Sequence, residues 1–138
     1  MADRGGNTIA QQFSTICSEA RARRLDVRLC VQLAKNMRRM TNHKEEQKLI
    51  VLRKTALHML EYGYAWLYMT RGSLAGAARP KEWSAMKLLL SGLRNQIECV
   101  EGELLFAGSL TDAGEVAKKL EKIQLLIDQV VGKFRAIH

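Results

Sequence analysis

Apolar side chains crowd most densely between Leu49 and Met69, where they occupy more than one side of a helix drawn through them. Leu49, Leu52, Ala56, Met59 and Trp66 make one stripe, and Ile50, Leu57, Leu60, Tyr64 and Leu67 widen it. Leaving so broad an apolar surface half in water is costly, which predicts a central helix covered by neighbours on at least two sides.

Upstream, a short polar start, Met1 to Asn7, is expected to be flexible. Asn7 or Thr8 can cap a helix carrying Ile9, Phe13, Ile16, Cys17 and Ala20. Leu29, Cys30, Leu33, Ala34, Met37 and Met40 supply a further apolar face. Asp26 can cap a separate helix from near Val27. Neither glycine nor proline interrupts residues 20–27, however, so one helix over roughly 8–40 is the alternative. Asn42 and Glu45 then stand three residues apart as a capping box, and Glu45 and Glu46 place negative charge where the helix dipole favours it. The central helix follows to about Thr70, with Gly72 as its C-terminal cap. Gly63 in its interior costs about 1 kcal/mol in propensity relative to alanine. Close approach by another helix accounts for it.

Gly72 to Arg79 reads as a connection, and Pro80 suits the first turn of a new helix because its missing amide would be unpaired there. Trp83, Met86, Leu90, Leu93, Ile97, Val100 and Leu104 then recur at spacings of three and four residues, with Gly108 placed to end the helix. Thr111 can cap a last helix in which Val116, Leu120, Ile123, Ile127, Val130, Phe134 and Ile137 repeat the same alternation. The short link from Gly108 to Asp112 predicts that these two helices form an antiparallel hairpin. The pattern as a whole predicts an all-α fold, an antiparallel bundle of four to five helices in a single domain spanning 1–138. Several helices are apolar beyond what one seam needs. That excess fits either a thick monomeric core or a homodimer, with exchange of the first helix between chains as one route.

Composition narrows the class. Apolar residues at 47% exclude wholesale disorder. Cys17, Cys30 and Cys99 are an odd, widely spaced set without metal or redox spacing, and each lies among apolar neighbours, so they read as reduced structural thiols. The N-terminus lacks the apolar core of a signal peptide, and no apolar run approaches the roughly 20 residues of a membrane span. A soluble protein of the cytoplasm or another reducing compartment is expected.

Charge adds a candidate activity. The formal +8 is uneven: Met1 to Lys54 carries twelve lysines and arginines against five acids, net +7, and the remainder only +1. Arg21, Arg24, Arg28, Lys35, Arg38 and Arg39 recur at spacings that place many of them along one side of a continuous helix. Lys44 and Lys48 extend the strip, with Arg53 and Lys54 beyond them. Such a surface neutralises phosphates in a salt-dependent way, and guanidinium groups offer paired donors to phosphate oxygens. The preferred reading is a non-enzymatic protein that contacts nucleic-acid phosphates. The alternative is an interaction adaptor or regulatory module whose acidic protein partner uses the same cations.

Other chemistry is thinly supported. His58 and Glu61 can meet on one helical side, but more often such a pair is structural. Glu98, Glu101 and Glu103 lack the histidines of a di-metal bundle, and no cofactor motif occurs. Tyr62, Tyr64, Trp66 and Tyr68 point in different directions on a helix, which fits core or helix-interface roles better than a base-stacking platform.

Overall fold

The computed structural model describes residues 4–71, 80–106 and 112–137, with side chains from Ala10 onward. Five helices follow one another: α1 (Arg4–Leu25), α2 (Val27–Met40), α3 (His43–Thr70), α4 (Pro80–Phe106) and α5 (Ala113–Ile137). No strand occurs among the described residues.

The break between α1 and α2 is made by Asp26. Its backbone is extended, and its Oδ1 accepts a hydrogen bond from Leu29 N at 3.1 Å, satisfying an amide that the new helix would otherwise leave unpaired. This decides between the two alternatives for residues 8–40 in favour of two helices. Asn42 does the same for α3, with Oδ1 accepting from Glu45 N at 2.9 Å. The capping box is only half made, because Glu45 Oε2 is buried without a hydrogen-bond partner and Glu46 turns instead to His43, 3.0 Å away. At α5 the side chain of Asp112 accepts from Gly114 N at 2.8 Å and takes the capping role expected of Thr111. Thr111 itself, Gly72 and Gly108 lie outside the described residues. α1 begins at Arg4, ahead of the caps expected at Asn7 and Thr8.

α1 and α2 together run antiparallel to α3: Phe13 meets Tyr64 at 5.7 Å between ring centroids, and Cys30 meets Arg53 one helical stretch further on. α4 returns antiparallel along α3, with Trp83 Nε1 donating to Leu67 O at 2.9 Å, and α5 runs back along α4, where Lys119 pairs with Glu103. The result is an antiparallel bundle whose first rod is split in two. α3 packs against all four other helices. Leu49, Leu52, Ala56, Leu57, Leu60, Tyr64 and Leu67 are buried, whereas Ile50, expected within the stripe, is exposed. The seams of α4 and α5 close the core on the other side from Met86 to Leu104 and from Val116 to Val130, leaving Phe134 partly in solvent. Gly63 faces Leu90: a Cβ there would lie 2.7 Å from Leu90 Cδ1, the close approach its position implied.

Candidate nucleic-acid interface

The cap at Asp26 sets the orientation of α2. Its Leu33 and Met37 are buried, with Leu29, Cys30 and Met40 beside them. At about 100° per residue, Arg28, Lys35, Arg38 and Arg39 then fall together on the opposite, solvent-facing arc. All four are exposed, and none makes an ion pair among the described residues. α2 contains no acidic residue. Arg38 and Arg39 also sit in its last turn, where the negative end of the helix dipole favours cations. Val31, half exposed, lies in the middle of this arc, and Leu25 and Val27 extend the apolar component at its N-terminal end.

The other expected contacts lie elsewhere. Arg24 is half-buried and its Nη2 is 3.0 Å from Glu61 Oε1, while its Nε is buried without a hydrogen-bond partner. Arg21 is exposed on α1, beyond the break. Lys44 is exposed and Lys48 half-exposed on the first turns of α3. Helical geometry directs both away from the buried side of α3. The eight cations are thus divided among three helices, with four gathered on α2.

Arg53 does not extend the cationic surface. Its side chain is 6% exposed, and Nε donates to Glu101 Oε2 at 2.7 Å. Its Nη1 reaches Cys30 Sγ and its Nη2 reaches Arg23 O, each at 3.3 Å. Arg23 Nη1 lies 3.1 Å from the second Glu101 oxygen. Arg94 continues the network between Glu98 and Glu19, each at 3.4 Å. This network ties α1, α3 and α4 together, with α2 joined through Cys30; Arg53 and Glu101 are buried at its centre, and Arg23, Arg94, Glu98 and Glu19 lie toward its exposed edge. Spacing alone gave no signal for them, because Arg53 and Glu101 are 48 positions apart.

The remaining chemical candidates are spread out. Glu61 is engaged by Arg24, and His58 stacks instead on Tyr62, with ring centroids 6.1 Å apart and planes 5° from parallel. Tyr64 is buried, Trp66 is half-buried, and Tyr62 and Tyr68 are exposed, so the aromatics divide between core and surface. Burial pushes the Tyr64 phenol above its ordinary range, and burial with the nearby Glu61 carboxylate does the same to the Cys17 thiol. Cys17, Cys30 and Cys99 are all free, and Cys99 is exposed rather than packed among apolar neighbours. Among the described residues no group of three or more His, Cys, Asp or Glu side chains could hold a metal ion, and no helix is long and apolar enough to cross a membrane. In comparisons with protein-family models, curated proteins and solved structures, the chain matches none.

Proposed function

We propose that this chain is a non-enzymatic nucleic-acid-binding protein that engages phosphates through the outer face of α2. One observation carries the reading: Arg28, Lys35, Arg38 and Arg39 share an exposed helical face on which no acid competes for them. The 14 residues of α2 make a rod of about 21 Å, short enough to lie against one stretch of a duplex backbone. Phosphates would displace condensed counterions from such a row, so affinity should fall steeply with salt. The face has no aromatic side chain to stack on bases, and the exposed amide at its edge, Gln32, donates to Asn36 Oδ1 at 2.9 Å, which favours contact with the backbone over sequence recognition.

Fluorescence anisotropy with duplex RNA, duplex DNA and single strands across a salt series tests this. Four phosphate contacts predict a slope of log affinity against log salt of roughly −3 to −4 for duplex DNA. Replacing Arg28, Lys35, Arg38 and Arg39 together by alanine should abolish most of the slope. Absence of binding at low salt, or binding untouched by the fourfold variant, overturns the proposal.

A second reading draws on Val31, Leu25 and Val27. Exposed apolar side chains among cations also suit an acidic, amphipathic protein segment. Val31→Ser, which alters no charge on the face, should then weaken binding of the protein segment and leave nucleic-acid affinity unchanged. The three free thiols support a cytoplasmic or other reducing setting under either reading.

A further inference from the structure

α3 carries a second row of side chains opposite its buried face. Val51, Thr55, His58, Tyr62, Ala65 and Met69 follow at spacings of four and three residues, so at about 100° per residue they stay close to one line. Val51, Tyr62 and Met69 are 61%, 64% and 79% exposed. An apolar groove borders the row on each side. One, of about 420 Å³, runs toward α1 between Cys17 and Tyr68, and the other, of about 530 Å³, runs toward α5 between Trp66, Val130 and Phe134. α1 and α5 therefore flank α3 and leave its outer ridge uncovered.

We propose that a second copy of this chain covers the ridge, with the two α3 helices packed antiparallel about a two-fold axis beside residue 60. A two-fold interface must be complementary to itself. The spacing of this row reads the same from either end, so Val51 meets Met69 of the second copy, Thr55 meets Ala65, and His58 meets Tyr62. The chemistry matches at each pairing. Apolar ends meet apolar ends, the threonine methyl meets a small side chain, and the stacked His58 and Tyr62 rings meet their equivalents near the axis. None of the six is Asp, Glu, Lys or Arg, so no like charges meet along the contact line itself.

The available area agrees. Tyr62, Tyr68 and Phe134 are 64%, 37% and 41% exposed, which at about 200 Å² per ring side chain leaves roughly 280 Å² to bury. Val51 and Met69 bring this to roughly 500 Å² per copy, or about 1,000 Å² in all, the lower bound of a specific interface. The dimer should accordingly dissociate on dilution.

Sedimentation equilibrium of the full chain from about 1 to about 300 μM tests the proposal, since mass action moves a weak dimer across that range. The mass should rise from 15.6 kDa toward twice that value. Tyr62→Glu and Tyr62→Lys should each weaken association at least tenfold while leaving the circular dichroism of the exposed-site variants unchanged. An equimolar mixture of the two should recover it, because residue 62 of each copy lies two positions from the axis, about 6 Å from its equivalent along the helices, and the opposite charges then attract. A 15.6 kDa species at every concentration, a dimer that both variants leave intact, or a mixture without recovery overturns the proposal.

Discussion

Glu101→Leu is expected to be among the costliest single substitutions in this bundle. Both carboxylate oxygens are engaged, one by Arg53 at 2.7 Å and the other by Arg23 at 3.1 Å, and the Arg53 and Glu101 side chains are each 6% exposed. Removing the carboxylate leaves the Arg53 guanidinium out of water with only a thiol and one carbonyl for company, which costs about 3–5 kcal/mol. Against a total stability of about 5–15 kcal/mol, that is a large fraction. At an m-value of about 2 kcal/mol/M, the urea midpoint followed by far-ultraviolet circular dichroism should fall by roughly 2 M. Arg53→Met should cost less, because Arg23 still reaches Glu101 and is 41% exposed to solvent. The double variant Arg53→Met with Glu101→Leu should recover most of the loss, since a packed apolar pair carries no desolvation penalty. A Glu101→Leu cost below about 1 kcal/mol, or a double variant as unstable as the two losses summed, would refute the reasoning.

Further outcomes follow from other sites. Gly63→Ala should lower stability by about 1 kcal/mol despite better helix propensity, because Leu90 is fully buried and cannot yield to the new methyl; Gly102→Ala, with open space around it, should raise stability by a similar amount in the same urea assay. Cys17, Tyr64 and Lys119 all have folded pKa values raised above their ordinary ones: the first two chiefly by burial, Lys119 chiefly by its hydrogen bond to Glu103. Each therefore contributes stability that is complete below its unfolded pKa and lost as pH rises through the folded one, so the urea midpoint should fall progressively above about pH 9, and less steeply in Tyr64→Phe. A thiol-reactive chromogen should modify exposed Cys99 well before Cys17, and equal rates would contradict the placement of α1 on α3. Asp26→Ala should cost about 1 kcal/mol through loss of the cap on α2.

Much of the architecture was legible because helices write their buried side at intervals of three and four. The rows on α4 from Met86 to Leu104 and on α5 from Val116 to Val130 occupy the core as their periodicity predicts. Pro80 opens α4, and Asp26 and Asn42 open α2 and α3, each through a backbone amide that needs no partner or finds one nearby. Long-range pairing was not legible. Arg53 reads as one more surface cation until Glu101 is brought beside it by the antiparallel turn of α4, and Arg24 likewise until Glu61 meets it. Ile50 shows the converse: its type suits the core and it stands two turns before the buried Leu57, yet it is exposed. The cationic row was legible only in part, because a drawn-through helix from 8 to 40 aligns residues that the break at Asp26 separates.

That break has a consequence for how the molecule can be taken apart. The carbonyls that α1 leaves open at its end are met from other helices: Arg23 O by the Arg53 guanidinium at 3.3 Å and Arg24 O by the Cys30 thiol at 3.7 Å. The elbow is thus held by a side chain rooted in the middle rod, not by the local chain alone. A fragment beginning at Val27 would take one acceptor from that guanidinium, remove the second cation from Glu101 and bare the aromatic side of Tyr64, so α1 belongs to the smallest piece that can keep this shape.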